Sequence, residues 1–472
     1  MVARPGGVNR NPAQLVVLAF TGLITLGTLL LLLPVAVDGS SGLGVEDALF
    51  MSTSATTVTG LATVDIATFS LFGELVLLAL VQIGGFGIMT IGSVLALVAS
   101  RRVGLRQRML AQAEIGAVDI GDLKILIGYI ARITLAVEGS LAAVLTVRLW
   151  QGGYEDNFGD ALYSGIFHGV TAFNNAGISL YPDNLASFVG DPIVVIAITL
   201  GFIIGGLGFP ILVEISRRRA STTKRVEASL PMTLHHRTGQ PRSSVIPWSL
   251  HLKITLLATA ALLVIGPVVV LVFEWSNSAT LGQLGIGDKL LAGWFQGVSP
   301  RTAGFNTVDI GAMNEPTLLV ISTLMFIGAG PASTSGGIKV TTFAVLGLMI
   351  WSEARGDQDV NVFGRRLPTS MTRQAVTIAL LSVAMVTGVS LVLMASDGIG
   401  LTAALFESAS AFGTVGLSTG VTGAISTLGH ISLVVVMLAG RVGPVTFVTA
   451  LALRDSDRAR VYRYPEERPI IG

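Results

Sequence analysis

The hydrophobic positions fall into eight long apolar segments, each near or above the roughly 20 residues that a helix needs to cross a bilayer. The long segments are residues 13–37, 72–99, 125–149, 192–215, 250–274, 316–350, 373–396 and 427–453. A shorter segment of moderate hydrophobicity lies within each successive pair, at residues 46–57, 160–174, 288–299 and 401–412. About twelve helical residues cover only about half a bilayer. We therefore predict that these four half-helices enter the membrane and return on the same side.

A glycine turn follows each half-helix. The turns are residues 57–61 (TVTGL), 174–178 (NNAGI), 301–305 (RTAGF) and 413–417 (GTVGL). A phenylalanine precedes each turn glycine at nearly the same distance, at Phe50, Phe167, Phe295 and Phe406. Self-similarity at a fixed period, here about 120 residues, is the signature of a repeated structural unit. We place the four units at residues 1–112, 113–235, 236–365 and 366–472.

The predicted fold is an all-α membrane protein, built from four tandem helix–pore-helix–helix repeats with eight spanning helices and four re-entrant half-helices around one pseudo-fourfold pore. Composition agrees, because 51% of the residues are hydrophobic and only 12% are charged. The chain has no cysteine, which excludes disulfides and thiolate metal sites. Arginine-rich loops follow the second, fourth and sixth long segments, and acidic loops lie between them. The positive-inside rule then places both termini in the cytoplasm and predicts that the half-helices dip from outside.

Four units in one orientation are related about an axis along the membrane normal, which brings their glycine turns face to face. Glycine reaches the left-handed dihedrals that aim successive carbonyls one way, and rings of carbonyls can replace the hydration shell of a cation. The half-helices would point their partly negative C-terminal ends toward the same axis. A divalent-selective site would more often carry a ring of Asp or Glu, and the turns have none. The pattern predicts a pore constriction for a monovalent cation.

These turns, with residues 299–306 (SPRTAGFN) in the third unit, resemble the four filter segments of the Trk/Ktr/HKT superfamily of potassium transporters. Within it, the chain is most similar to the KtrB-type membrane subunits of bacterial Ktr systems. The resemblance implies potassium uptake across the bacterial inner membrane, a homodimer with one pore per subunit, and a cytoplasmic nucleotide-binding KtrA-type regulatory ring. It also implies potassium in the filter, no covalently bound cofactor, and sodium as a candidate activator.

The same resemblance implies which residues form the potassium-binding selectivity filter. In the HKT relatives a serine at the first glycine goes with sodium preference, so Gly60 favours potassium. The implied filter residues are Val58, Thr59, Gly60, Asn175, Ala176, Gly177, Thr302, Ala303, Gly304, Thr414, Val415 and Gly416.

The second long segment of each unit carries a glycine-rich stretch, at residues 83–87, 204–208, 327–331 and 439–443. Helix packing through small residues explains the first two. In the third unit, residues 328–339 (GAGPASTSGGIK) contain glycines and a proline that break a helix, without the Gly-Lys-Ser/Thr ending of a P-loop. A simple kink is one interpretation; a gate loop that obstructs the pore below the filter, as in the family, is the preferred one. The predicted gate residues are Gly328, Gly330, Pro331, Ser335, Gly336, Gly337, Lys339 and Arg441.

Arg441 stands where the other units have Gly85, Gly206 and Ala329. A cation at mid-span costs about 2.5–3.5 kcal/mol on insertion scales, so its side chain should face water or a partner. One interpretation is a buried ion pair, for which Glu138 is a candidate. The sharper one is that Arg441 projects into the pore and raises the barrier to potassium.

Polar residues follow the phenylalanine in three half-helices: His168, Gln296 and Glu407. Glu407 could tune the outer vestibule, although a hydrogen bond that braces the half-helix explains it equally well. His235 and His236 show no metal-site spacing. The loops 100–124, 216–248, 352–372 and 454–468 predict a docking face for a cytoplasmic partner, or a surface near anionic lipid.

Two other functions stay open. A sodium- or proton-coupled potassium symporter would need an acidic relay, for which Glu138 is the candidate. A membrane scaffold or receptor for a cytoplasmic ring would need no filter glycines. No nucleophile–base pair or metal-ligand motif stands out, so enzymatic activity is not expected.

Overall fold

A computed structural model describes residues 12–39, 42–101, 121–216, 248–444 and 446, and most of these are helical. The first unit contains α1 (Pro12–Leu31), α2 (Val45–Thr57) and α3 (Leu71–Arg101). The second contains α4 (Gly121–Gln151), α5 (Phe158–Asn174), α6 (Pro192–Leu207) and α7 (Phe209–Ser216). The third contains α8 (Leu250–Glu274), α9 (Ile286–Val298), α10 (Glu315–Phe326), α11 (Val340–Ala354) and the hairpin β1 (Asn361–Val362) and β2 (Arg365–Arg366). The fourth contains α12 (Thr369–Asp397), α13 (Leu401–Gly413) and α14 (Thr427–Val442).

Four helices in the described residues are long and apolar enough to cross a membrane, at Gln14–Leu31, Ile127–Gln151, Leu250–Glu274 and Thr369–Asp397. Each is the first long helix of its unit, and much of its surface is exposed and apolar, as at Leu257 and Val264 of α8. A fifth span results if α6 and α7 are counted together across a bend of 94°. The remaining apolar stretches are shorter, at Leu71–Gly87 within α3, Glu315–Phe326, Val340–Ala354 and Thr427–Val442, so the prediction of eight spanning helices stays a prediction.

The second long segment is interrupted or ends at its glycine-rich stretch in the second, third and fourth units, whereas α3 of the first unit continues through it. Gly208, with φ 90°, separates α6 from α7, and Gly443, with φ 97°, ends α14. Residues 328–339 separate α10 from α11 with non-helical backbone. In the second unit the stretch therefore does more than pack helices, because it also ends one.

The half-helices α2, α5, α9 and α13 tie the units into a circle. Each packs against the first long helix of its own unit, and each also contacts the second long helix of the preceding unit. These inter-unit contacts are α3 with α5, α6 with α9, α10 with α13, and α14 with α2. The last contact joins the fourth unit to the first, so the circle is closed. The four glycine turns lie at the ends of the helices that form it.

Candidate functional site

The backbone conformation of the four turns is nearly the same. A left-handed residue follows or closely follows each half-helix: Val58 (φ 57°), Asn175 (φ 60°), Thr302 (φ 72°) and Thr414 (φ 49°). Non-glycine residues adopt this region only occasionally. The turn glycines are left-handed as well: Gly60 (φ 91°), Gly177 (φ 64°), Gly304 (φ 76°) and Gly416 (φ 96°). The sequence repeat is thus also a repeat of backbone geometry.

The turns lie against one another in cyclic order. A Cβ atom placed on any of the four glycines would collide with backbone of a neighbouring turn. The carbonyl oxygens that would be struck are those of Ala176 for Gly60, Ala303 for Gly177, Val415 for Gly304, and Thr59 for Gly416. The structure therefore brings the four predicted filter segments together around one point, and it leaves no room there for a side chain on the glycines.

Four carbonyl oxygens of the turns accept no hydrogen bond from the described residues. The amides of Thr59, Ala176, Ala303 and Val415 donate back into the ends of the half-helices, at 2.7 to 2.9 Å. Ser54 and Ser410 accept from the amides of Gly60 and Gly416 at 3.0 and 3.1 Å. Among the described residues, no hydrogen bond ends on the carbonyl oxygens of Thr59, Ala176, Ala303 or Val415. Such oxygens can replace water around a cation.

The side chains of the turns are buried in apolar packing behind the backbone. Val58 and Ala176 belong to one hydrophobic cluster, Ala303 to a second and Val415 to a third, and all four are fully buried. These four side chains therefore contribute no polar group to the meeting point, whereas their carbonyl groups do. A cavity of about 250 Å³, lined by residues that include Gly60, Gly177 and Asn184, adjoins the turns of the first two units.

His168, Gln296 and Glu407 brace the chain that follows each turn. His168 Nε2 lies 3.0 Å from Ser179 Oγ, and Gln296 Oε1 accepts from the amide of Thr307 at 3.3 Å. The fully buried Glu407 accepts from Ser418 Oγ and the amide of Thr419, each at 2.8 Å. Ser179, Thr307 and Ser418 each lie 11 residues after the residue that bonds them, so the three side chains hold the chain after their turns in the same way. For Glu407 the bracing interpretation fits the geometry.

Asn184 was not predicted as a site residue. It has a left-handed φ of 61°, its Nδ2 donates to the carbonyl of Gly177 at 3.3 Å, and its Oδ1 accepts from the amide of Asn306 at 3.2 Å. Asn184 thus ties the second turn to the chain after the third. An asparagine in a loop carries little signal by itself, because its long-range partners become visible only in the folded chain.

The gate loop, residues 328–339, lies directly against the turns. Gly336 leaves no space for a Cβ because Thr414 Oγ1 and the carbonyl of Gly413 are adjacent to it. The amide of Gly330 donates to the carbonyl of Gly206 at 2.8 Å, and Pro331 contacts the break at Gly208. The loop is therefore held between the second and fourth units rather than forming a simple kink.

Hydrogen bonds inside the gate loop fix its shape. The amide of Gly328 donates to the carbonyl of Ile338 at 2.8 Å, and the amide of Ala329 donates to Ser335 Oγ at 3.1 Å. Lys339 Nζ donates to the carbonyl of Ser335 at 2.5 Å, and Gly337 has a left-handed φ of 66°. The positive charge of Lys339 is thus directed into the loop itself.

Asn175 connects the second turn to the gate loop. In the orientation that satisfies all its partners, its amide nitrogen donates to Thr334 Oγ1 at 2.9 Å. Its amide oxygen accepts from Thr302 Oγ1 at 3.2 Å. One side chain therefore joins two turns and the loop beneath them.

Arg441 reaches across from the fourth unit to two others. Its Nη1 donates to the carbonyl of Thr334 in the gate loop, and its Nη2 donates to the carbonyl of Gly84 in α3 at 3.2 Å. The residue is buried, with 3% of its surface exposed. These bonds place a fixed positive charge beside the gate loop.

The proposed ion pair between Arg441 and Glu138 is wrong for the described structure. Glu138 instead accepts from Asn174 Nδ2 at 3.1 Å and from Gln82 Nε2 at 3.3 Å, in a buried network between the first two units. Arg441 uses backbone carbonyls because its span ends beside the carbonyl-rich gate loop. The site residues Gly328 to Lys339 and Arg441 are thus brought together. His235, His236 and the loop 454–468 lie outside the described residues.

A model of the TrkH family, described as cation transport protein, matches residues 9–461. The chain belongs to the TrkH cation transport family. Membership of a transport family agrees with the expectation that the chain is not an enzyme. It also agrees with the resemblance to the Trk/Ktr/HKT superfamily that the four turns carry.

Two bacterial relatives match this chain over nearly the whole length of both proteins. The chain is 37% identical to the Ktr system potassium uptake protein B of Bacillus subtilis over 471 residues, covering 98% of each chain. It is 36% identical to the Ktr system potassium uptake protein B of Vibrio alginolyticus over 465 residues, covering 97% of this chain and 94% of the relative. The predicted similarity to KtrB-type subunits is confirmed.

The fold of the TrkH-family chain is similar to the crystal structure of the potassium transporter TrkH from Vibrio parahaemolyticus. The TM-score is 0.71, with 18% sequence identity, over 96% of this chain and 86% of that one. At this identity the likeness establishes the fold alone. The prediction of a mostly helical fold is confirmed, and the four repeats and eight spans stay predictions.

Proposed function

We propose that the protein is the potassium-translocating membrane subunit of a bacterial Ktr-type uptake system. Two relatives that cover nearly the whole chain carry the name of such a subunit. The single observation that carries the proposal is the closed circle of four left-handed turns, whose glycines meet the carbonyl groups of their neighbours. Four main-chain turns at one point form a site for a dehydrated monovalent cation.

The predicted filter residues supply this site with main-chain oxygens rather than with charged side chains. Carbonyl oxygens favour a cation without the strong binding of a carboxylate ring, which conduction requires because the ion must also leave. The half-helices α2, α5, α9 and α13 end at the turns, and their C-terminal partial negative charge adds to the attraction. Potassium is the ion that this arrangement would carry.

The gate loop and Arg441 would obstruct the path below the filter. The loop contacts the turns of the second and fourth units, through Asn175 and Thr414, and Arg441 holds it by the carbonyl of Thr334. A positive charge beside the path raises the electrostatic barrier to a cation. Opening would require the loop to move and Arg441 to exchange its partners.

The membrane arrangement completes the proposal. The apolar segments support eight spans in four repeats, and the loop charges support an orientation with both termini cytoplasmic in the bacterial inner membrane. The relatives are named as parts of a Ktr system, which supports the presence of partner components. The assembly that we propose, from the family resemblance, is a homodimer with a cytoplasmic KtrA-type ring. Inward movement of potassium would be driven by the membrane potential, worth about 2.3 kcal/mol per charge per 100 mV.

The experiment that tests this function is uptake of potassium, rubidium and sodium in a cell deficient in potassium uptake, comparing the wild type with Gly60→Ser. We expect potassium and rubidium uptake in the wild type. We expect the variant to lose uptake or to lose selectivity against sodium, because a side chain at residue 60 would collide with the carbonyl group of Ala176. Wild-type uptake and selectivity in the variant would contradict the filter and favour a scaffold role.

A sodium- or proton-coupled symporter is separated by a second measurement. The buried network of Glu138, Gln82 and Asn174 lies beside the second turn and is the described acidic group that could serve coupling. Potassium flux is measured at fixed voltage with and without a sodium or proton gradient. Flux that follows potassium and voltage alone supports the proposal, and flux that needs the second gradient supports the symporter.

A further inference from the structure

Arg301 belongs to the third turn, but its guanidinium group is buried away from water, and no acidic side chain pairs with it in the part of the chain that the structure describes. Only 5% of the residue is exposed. Its Nη2 donates a long hydrogen bond of 3.4 Å to the carbonyl of Gly328, while Nε and Nη1 have no hydrogen-bond partner among the described residues. An uncompensated buried cation is strongly unfavourable. Within the described part of the chain no group balances this charge.

A small cavity of about 20 Å³ lies beside this guanidinium group, between α6 of the second unit and α8 of the third. Arg301 and Thr259 are its polar side chains, and the remaining lining is apolar or glycine. Thr259 Oγ1 is also buried without a partner in the described structure. Two independent polar groups with unused donors thus meet at one cavity.

The cavity has room for about one particle of the size of a water molecule. Its polar lining side chains are the guanidinium group of Arg301, which can only donate, and the hydroxyl of Thr259, which can donate or accept, with no carboxylate or amide side chain among the lining residues. A water molecule would accept these hydrogen bonds but would leave the positive charge uncompensated. A single monovalent anion accepts the same bonds and cancels the charge.

We propose that this cavity binds one small halide-class anion, held by Arg301 and Thr259 at the junction of the second and third units. Because Arg301 also donates to Gly328, the anion would lie next to the first residue of the gate loop. Its negative charge would screen the guanidinium group from a cation in the nearby turns. Binding of the anion does not depend on which cation the protein carries.

Bromide is the probe, because its anomalous scattering locates it without ambiguity. Crystals of the full chain are grown with bromide in place of chloride. We expect one anomalous peak per chain in the cavity, bonded to Arg301. The peak should be lost in Arg301→Gln, weakened in Thr259→Val, and retained in Arg366→Gln, which removes an exposed arginine from the β1–β2 hairpin.

Three results would overturn the proposal. The cavity could hold only ordered water at saturating bromide, it could hold density continuous with a lipid headgroup, or a bromide peak could persist unchanged in Arg301→Gln as an adventitious ion.

Thermal unfolding supplies a readout for variants that do not crystallise. Replacing gluconate by bromide should raise the melting temperature of the wild type and of Arg366→Gln, with a smaller rise in Thr259→Val. An equal rise in Thr259→Val and the wild type would count against the site.

Discussion

At the scale of single residues, two constraints require glycine in the turns: the left-handed φ angle and the lack of room for a Cβ atom. Each has a left-handed φ, and each would place a Cβ atom on a carbonyl group of the next turn. Most glycines in the described ranges lack this double constraint. Gly347, in α11, has nothing within 4 Å of its Cβ position. The two kinds of glycine make matched test positions.

Replacing Gly304 by alanine should abolish most transport. Its φ of 76° is costly for alanine, and the added methyl group would collide with the carbonyl of Val415 in the fourth turn. Strain of this kind costs about 1–3 kcal/mol before any collision. Rubidium uptake, normalised to membrane-inserted protein, is the measurement.

Gly347→Ala is the control for that substitution. It adds the same methyl group in a helix with open space, where alanine is favoured by about 1 kcal/mol. Uptake should stay at the wild-type level. Equal uptake in Gly304→Ala and the wild type would contradict the close meeting of the turns.

Asn184→Ala should loosen the second turn while leaving the fold intact. The substitution removes the donor to the Gly177 carbonyl and the acceptor for the Asn306 amide. Each lost neutral hydrogen bond is worth about 0.5–1.5 kcal/mol. We expect weaker discrimination of potassium from sodium in competitive uptake. Asp183→Ala, which removes a nearby local cap at Ser187, should leave discrimination unchanged and is the control.

At the scale of helices, the sequence predicted the half-helices closely. The predicted segments 46–57 and 401–412 correspond to α2 (Val45–Thr57) and α13 (Leu401–Gly413), because moderate hydrophobicity and a following glycine mark both ends. The break in 316–350 was also predicted, since its glycines and proline lie together. The bend at Gly208 was not, because one more glycine in a glycine-rich helix resembles a packing position.

Long-range partners account for the rest of what the sequence could not predict. Arg441 was recognised as a cation in a span, but its bonds to the carbonyls of Thr334 and Gly84 depend on units far apart in the chain. Asn184 and the unused donors of Arg301 depend in the same way on the folded arrangement. Local pattern identifies elements, and only their packing shows which polar groups meet.

Arg441→Gln should release the gate loop and raise the transport rate. The charge beside the loop is lost, and the shorter amide cannot hold the carbonyls of both Thr334 and Gly84. We expect faster initial uptake at saturating potassium, with unaltered expression. Arg366→Gln, at an exposed pair with Asp359, serves as the charge-matched control. Unchanged flux in correctly inserted Arg441→Gln would place this residue outside the path.

At the scale of the whole molecule, the circle of units depends on its last contact, between the fourth unit and the first. Glu46, in the first turn of α2, accepts from Thr427 Oγ1 at 2.8 Å and lies 2.5 Å from His430 Nδ1. Both partners lie in α14. The other three junctions join units that follow one another in the chain. This junction joins residues from opposite ends of the sequence, so only non-covalent contacts hold it.

Glu46→Gln should therefore lower the melting temperature more than Asp47→Asn does. Both substitutions remove an acidic side chain from the N-terminal turn of α2, where a carboxylate is favoured by the helix dipole. Only Glu46 has described bonds to α14, so the difference between the variants measures the junction. Equal losses would show that the dipole accounts for both.

The difference in melting temperature between the wild type and Glu46→Gln should depend on pH, because it reflects the charge of the Glu46 carboxyl group. Hydrogen bonds from His430 and Thr427 lower the pKa of Glu46 below its ordinary value. A lowered pKa in the folded state means that the stabilisation is present above the ordinary carboxyl pKa and is lost as pH falls through the lowered one. The gap in melting temperature between the wild type and Glu46→Gln should thus hold at neutral pH and narrow below about pH 4. A gap that widens in acid would contradict a charged carboxylate at this junction.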